Sequence, residues 1–425
     1  MNRRHLIVRE HQTLRREPYG LLSSDAHTAF LRHLAALPPN ALTPTHDGLR
    51  TGSLCGLVSV DGWTLEILPK IYDQADHTPD RGLLVKMLAS CFDIPIWHGD
   101  NAESGQADLL TAIVRAYLEE ASTQMSAGWI KSYVTEEDQL TRPRGQLKIH
   151  AQVRRGRAQG HMLHCEFDEL TTNNAHNRLV KAALKVAASK IPTGSRHAVM
   201  ARRLALSLNE VDDSTRSWRE PDSLAKHRLT QRYERLLILS SWLLRLLGPN
   251  VHRGPERGIS LLFDMNRLFQ DYVGNALDRA IRRHPLANRL RLTRERPVKG
   301  LVSDSAESPR FMLRPDLCVH FDNQMLAILD TKWKRLLPDE QNAGVGQSDL
   351  YQLLAYGHTY GCRQLTLIYP DHPCLEQWPR PRFKFAPYED AAIGLSIETF
   401  DIQNSDLSAD RILVALSPQI EPAPR

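Results

Sequence analysis

FMLRPDLCVHFDNQMLAILDTKW, residues 311–333, decides how this chain is read. Two largely apolar runs, Phe311–Phe321 and Met325–Trp333, flank Asp322-Asn323, and the pattern predicts an antiparallel hairpin turning at that pair. In such a hairpin Asp316 and Asp330 fall nearly opposite each other. Lys332, two residues on, shares the face of Asp330 because side chains along a strand alternate. Three charged groups thus converge on an otherwise apolar element.

Two neighbouring carboxylates repel unless positive charge lies between them, and a hard divalent cation with oxygen ligands fits that need. The expectation is one or two Mg²⁺ ions on Asp316 and Asp330, polarising a phosphate and activating water. Lys332 would orient that water or offset the charge building on phosphorus. Asp-x-Lys alone arises often by chance, and as a surface ion pair it would carry no chemistry. Its pairing with Pro315-Asp316 at hairpin spacing makes it informative. Gln352 and Tyr356, four apart on the predicted helix Ser348–Tyr356, share a face. Following Pro315-Asp316 and Asp330-Thr331-Lys332, they resemble the RecB-like branch of the PD-(D/E)xK nucleases, in which both residues border the active site.

Outward from this core, helix Met265–Arg283 and strand Arg291–Arg294 precede the hairpin, and strand Gln364–Tyr369 follows it. Ser303–Ser308 and Pro338–Gln347 read as loops. The region 251–425 is therefore expected to be an α/β domain with a mixed sheet flanked by helices. Helices Ala175–Ile191, Arg196–Leu208 and Arg228–Leu247, the last stopped by Gly248-Pro249, suggest a helical connector over 161–250. Residues 1–160 read as an α+β domain. Its pattern gives a helix at Asp25–Leu37, strands Leu54–Val60 and Trp63–Leu68 joined by Asp61-Gly62, helices Arg81–Phe92 and Asp108–Met125, and extended Trp129–Val134 and Gly145–Ile149.

With 425 residues, 42% of them hydrophobic, the chain can bury more than one core. Its six cysteines are scattered without a CxxC pair, and no apolar stretch approaches the roughly 20 residues of a membrane span. A reducing cytoplasm and no membrane partner are expected. The formal charge of +5 comes from arginine clusters, at 142–144, 154–157, 202–203 and 279–296, which suit either phosphate contact or a solvated helix face. His161, His164, Cys165 and His176 match no zinc-ligand spacing and are expected to pack or face solvent. No GxxxxGK[ST] phosphate loop is present, so an NTP-driven function would borrow its motor from another chain.

The motifs taken in order resemble the McrC family, nuclease partners of McrB GTPases in modification-dependent restriction. They are Gly56-Leu57-Val58 through Pro69-Lys70-Ile71, Arg144 to Leu147, Cys165 to Asp168, Asn174 to Arg178, Asn266 to Phe269, Pro315-Asp316, Asp330 to Lys332, and Gln352 to Tyr356. The resemblance implies a PD-(D/E)xK restriction-endonuclease-like domain over 251–425 that cuts double-stranded DNA in a hetero-oligomer. The partner is a McrB-like AAA+ GTPase, docked by the N-terminal half and stimulated by it. One position departs from the family: a glutamate commonly follows Leu-Phe of the helix before the core strands, where this chain has Gln270 and Asp271. Gln270 offers a metal only a neutral carbonyl, and Asp271 lies about 100° further around the helix.

Overall fold

The computed structural model describes residues 4–72, 74–94, 108–154, 162–189, 191, 194–213, 230–247, 260–376, 378–385 and 393–416. By contacts the chain falls into two compact units, Met1–Leu109 with Leu262–Arg425, and Leu110–Leu261. The first is discontinuous in sequence, whereas the expected segments 1–160, 161–250 and 251–425 are consecutive stretches defined by pattern alone.

The N-terminal part of the first unit holds β1 (Arg4–Arg9), β2 (Thr13–Arg15), α1 (Ser24–His33), β3 (Leu42–Thr45), β4 (Gly48–Thr51), β5 (Leu54–Val60), β6 (Trp63–Leu68) and α2 (Thr78–Cys91). Asp61 and Gly62 take φ of 45° and 85°, the left-handed backbone a two-residue hairpin turn demands, and β5 pairs with β6 from Val60↔Trp63 inward. β1 adds in parallel to the far edge of β6. Behind this sheet the chain buries charge in pairs. Arg9 Nε lies 2.7 Å from Asp80 Oδ2, and the Arg81 guanidinium forks onto Glu66 at 2.7 and 3.0 Å. Helix α1 starts one residue before the expected Asp25, capped by Ser23 Oγ, and ends at His33 with a 3₁₀ turn beyond it.

The second unit contains α3 (Leu109–Ser126), β7 (Ser132–Leu140), β8 (Gln146–Leu147), α4 (Ile149–Arg154), β9 (Leu163–Thr171), α5 (Ala175–Ala188), α6 (Arg196–Ser207) and α7 (Glu234–Leu247). β9 is the centre of a β7-β9-β8 sheet, and the buried Tyr117 hydroxyl ties α3 to α5 by donating to Val180 O at 2.6 Å. Two expectations shift here. The extended stretch at Trp129–Val134 begins at Ser132 and runs on to Leu140, and Gly145–Ile149 yields only two strand residues before α4 starts. Arg228 and the Gly248-Pro249 stop lie outside the described residues.

The chain returns through β10 (Ser260–Asp264), the edge partner of β5, into α8 (Met265–Arg283). Asp264 caps that helix, its carboxylate accepting from the Asn266 and Arg267 amides at 2.8 and 3.2 Å. Then come β11 (Leu290–Arg294), β12 (Lys299–Ser303), β13 (Pro309–Leu313), β14 (Leu317–Phe321), β15 (Gln324–Thr331), α9 (Gln347–Tyr360), β16 (Gln364–Pro370), β17 (Arg382–Lys384), β18 (Gly394–Phe400) and α10 (Ser405–Leu416). Six of these strands form a mixed sheet ordered β11-β14-β15-β16-β18-β17, with β15, β16 and β18 parallel and the other pairings antiparallel.

Both faces of the central strands are covered, which is why they read as continuous apolar runs. Cys318, Ile328, Leu365 and Leu367 pack with Leu353, Tyr356 and Tyr360 of α9. On the α8 side, Phe269 and Tyr272 meet Phe400 edge to face. The expected strand Phe311–Phe321 is in fact two. Pro315 has no N–H to give a ladder, and the chain leaves the separate β12–β13 ribbon at Leu313 before entering the sheet at Leu317.

Candidate active site

The hairpin β14–β15 turns at Asp322-Asn323, with φ of 49° and 65°, and pairs from Phe321↔Gln324 to Leu317↔Leu329 with one irregularity at Val319/His320. One step further in this register, Asp316 stands opposite Asp330. By alternation both point to the side of Cys318 and Ile328, beneath α9.

Asp316 is anchored by Thr331, whose amide and hydroxyl each donate to Oδ2 at 2.8 Å. Burial nevertheless raises its carboxyl above the ordinary range, more than the Thr331 bonds and Lys332 lower it. Asp330 is 2% exposed. Burial and then the charge of Asp316 push it up to about 7, against the pull of Lys332. Lys332 Nζ pairs with Asp330 Oδ2 at 2.8 Å, and no other described donor reaches that oxygen. An ionised carboxylate has more acceptor sites than one ammonium fills, so Asp330 keeps capacity for a second cation.

Lys332 lies just past the end of β15, its amide still donating to Ile368 O of β16 at 2.9 Å. Burial opposes its charge, but Asp330 and Asp349, at 2.8 and 3.4 Å, outweigh that and hold the ammonium above its usual range. Its position is set by a polar chain running across α9. Nζ donates to Gln352 Oε1 at 3.0 Å, Gln352 Nε2 donates to the Tyr356 hydroxyl at 2.8 Å, and that hydroxyl donates to Arg314 O at 3.2 Å. Asp316, Asp330, Lys332, Gln352 and Tyr356 are therefore brought together. Tyr356 also packs in the core, so the two readings of it coexist.

Among the described residues Gln270 and Asp271 make no ion pair with this group, although Phe269 beside them packs on Trp333 at 5.3 Å between ring centroids. Gln270 is 8% exposed on α8, and Asp271 pairs with Arg267 at 3.0 Å, which also reaches Glu295. Among the described residues no hydrogen bond joins either to Asp316 or Asp330. The Arg279–Arg296 cluster is mostly neutralised: Arg279 pairs with Asp406, Arg283 with Asp410, Arg289 with Asp322 and Arg294 with Asp278.

Two residues of the site escaped sequence reasoning. Asp349 precedes Gln352 by three and Tyr356 by seven, which is one helix face, and that spacing was the available signal. Glu10 had none. It reaches the site from the end of β1, accepting from Trp333 Nε1 at 2.7 Å beside Lys332, and burial pushes its carboxyl up to about 7.

Because the folded state favours neutral Asp330, ionising it costs stability as pH rises from the ordinary carboxylate range to its raised value. Asp330→Asn is expected to melt higher than wild type in EDTA near pH 8, the gap closing by about pH 4. Equal melting temperatures at both pH values would refute this account of the strain.

The family model described as "McrBC 5-methylcytosine restriction system component" matches residues 49–370. Among solved structures, a chain from the half-complex of a tetradecameric assembly of Thermococcus gammatolerans McrB AAA+ hexamers with bound McrC aligns with a TM-score of 0.70 at 16% identity, covering 98% of this chain and 100% of that one. At that identity the likeness is one of fold. A chain of the Thermococcus gammatolerans McrBC complex, also 16% identical, aligns with a TM-score of 0.49 over 66% of this chain and 89% of its own. No curated protein matches.

Proposed function

The chain belongs to the McrBC 5-methylcytosine restriction system component family, and from that premise we propose that it is the McrC-type nuclease subunit, a Mg²⁺-dependent endonuclease of PD-(D/E)xK type that cuts DNA together with a McrB-like AAA+ GTPase. The observation that carries this reading is the buried Asp330 opposite the half-buried Asp316, with Lys332 paired to Asp330 at 2.8 Å.

The residues fit a magnesium ion. They supply two facing carboxylates as hard oxygen donors, one of them buried with Lys332 as its only ion-pair partner among the described residues, and Mg²⁺ is commonly held by one or two carboxylates with water completing its shell. Asp316 and Asp330 would hold it, and when bound it supplies Lewis-acid stabilisation of a phosphodiester and a lowered pKa for water. Thr331 fixes the rotamer of Asp316 through its two bonds, so the pair needs little reorganisation. Lys332, kept charged by its two carboxylate neighbours, is a poor proton acceptor. Its role is that of a cation offsetting charge on the phosphate as the transition state forms. Gln352 and Tyr356 aim the ammonium and fix it to the backbone where β14 begins.

The sequence has no phosphate loop, so GTP hydrolysis would belong to the partner. The fold shared with a chain from an assembly of McrB hexamers with bound McrC supports docking on such a ring. A second reading, an activator of that ring without nuclease activity, is favoured by Gln270 standing where the family carries an acid, and by the engagement of Asp271 with Arg267.

Methylated plasmid should be cut only with the AAA+ partner, GTP and Mg²⁺ present together, and EDTA should stop the cutting. Stimulated GTPase with intact plasmid in every combination would sink the nuclease reading and leave the activator.

A further inference from the structure

The β12–β13 ribbon belongs to no larger sheet. Its strands pair only with each other, from Lys299↔Leu313 to Ser303↔Pro309, and carry exposed apolar side chains. Phe311 is 77% exposed, Val302 49%, Leu301 46% and Met312 46%. Phe311 also holds a left-handed φ of 51°, a conformation a bulky residue adopts at a cost and keeps only where its surroundings impose it. An apolar ribbon facing water asks for an occupant.

The ribbon is rooted in the candidate site. The Tyr360 hydroxyl accepts from Lys299 N at 3.1 Å and shares its proton between Pro297 O and Leu313 O at 2.9 and 2.8 Å. Tyr356 binds Arg314 O one residue further on, and the chain then reaches Asp316. The helix that aims Lys332 thus also holds the base of the ribbon. The base of the ribbon therefore adjoins the segment that carries Asp316.

Charge favours nucleic acid as the occupant. Arg296 and Arg314 flank the root, both exposed and without a carboxylate partner among the described residues, and Lys299 adds a third cation. The acids are confined to the turn, where Asp304 is taken up by the Ala306 and Ser308 amides and by Arg310. Width then selects the groove. Two strands lie about 4.8 Å apart, and with side chains the ribbon exceeds the minor groove of about 6 Å but enters the major groove of about 12 Å.

We propose that the β12–β13 ribbon lies in the major groove of duplex DNA beside the bond to be cut, with its exposed apolar side chains, Phe311 and Met312 among them, inside the groove and Arg296 and Arg314 on the flanking phosphates. This deepens the nuclease reading and rests on it for the choice of ligand. The contacts are apolar and tolerate any sequence that offers hydrocarbon in the groove.

The test compares full-length wild type with the Phe311→Ser/Met312→Ser double variant. Binding of a labelled duplex is measured by anisotropy in EDTA, guanine N7 protection by methylation footprinting, and, with the AAA+ partner and GTP present, Mg²⁺-dependent hydrolysis of bis(p-nitrophenyl) phosphate as a substrate too small to reach the ribbon. The variant should bind duplex at least about tenfold more weakly and lose the N7 protection, with hydrolysis of the small ester unchanged. Undiminished duplex affinity or protection overturns the proposal, as does a wild type that fails to bind duplex. Unchanged DNA affinity with lost binding to the AAA+ partner overturns it in favour of a protein-docking ribbon. Loss of duplex binding in the variant, with neither protein hydrolysing the small ester, upholds the ribbon while removing the nuclease reading.

Discussion

Replacing Asp330 with alanine is expected to lower the rate of plasmid cleavage by about three orders of magnitude, or roughly 4 kcal/mol in the barrier. The loss has two sources. Half of the carboxylate pair disappears, and with it the buried oxygens that would hold the metal. Lys332 also loses its nearest countercharge and is left to Asp349 and Gln352, which draw it toward α9. Stimulation of the partner's GTPase should survive, because the substitution removes a charge the fold itself resists. A variant that still cuts within tenfold of wild type would show that the chemistry lies elsewhere. Together with the higher melting expected for Asp330→Asn, the result would make this aspartate a residue kept for activity at a cost in stability.

Removing Glu66 should have the largest effect on folding, a loss of about 3–5 kcal/mol for Glu66→Ala. Its carboxylate is fully buried and accepts from both arms of Arg81 and from the Leu109 amide at 3.2 Å, with His5 Nε2 3.4 Å away. Burial alone would raise its pKa, but His5 and Arg81 hold it below the ordinary carboxylate value. Its contribution is therefore complete above the unfolded carboxylate pKa and fades as acid titrates the folded group. The alanine variant strands the Arg81 guanidinium in the core, so Glu66→Leu with Arg81→Met should recover most of the loss. Urea unfolding at neutral pH checks both, and a loss under 1 kcal/mol for the single variant would mean that water already reaches Arg81.

The hairpin could be read from sequence because its determinants are local. A turn pair, two apolar runs and the period of two place Asp316 against Asp330 without tertiary knowledge. The break after Leu313 was hidden because a run of strand-forming residues does not reveal which sheet each half joins. That choice is made by Tyr356 and Tyr360, which occupy the backbone acceptors of Arg314 and Leu313 from far along the chain. β1, β18 and α10 were not foreseen for a related reason. β1 is fixed by parallel pairing with β6 more than fifty residues on, and β18 by parallel pairing with β16, so no hairpin signal marks either. Glu10 illustrates the limit for the site, since a buried carboxylate serving a distant tryptophan leaves no spacing to recognise. The arginine cluster at 279–296 shows the converse: its most visible charges are largely spent on Asp278, Asp322, Asp406 and Asp410.

The first unit is completed only by residues that lie beyond the whole of Leu110–Leu261. On a ribosome adding about 5–20 residues per second, the nascent N-terminal strands wait roughly 10–40 s before the strand that closes their sheet emerges. For that interval β5 has no β10 beside it, Glu10 has no Trp333 to bind, and the edge of β5 is open to other chains. Synthesis thus sets a window for misassembly that ends only when the C-terminal half arrives, and chaperone dependence in vivo should fall if the two halves are expressed so that they meet sooner.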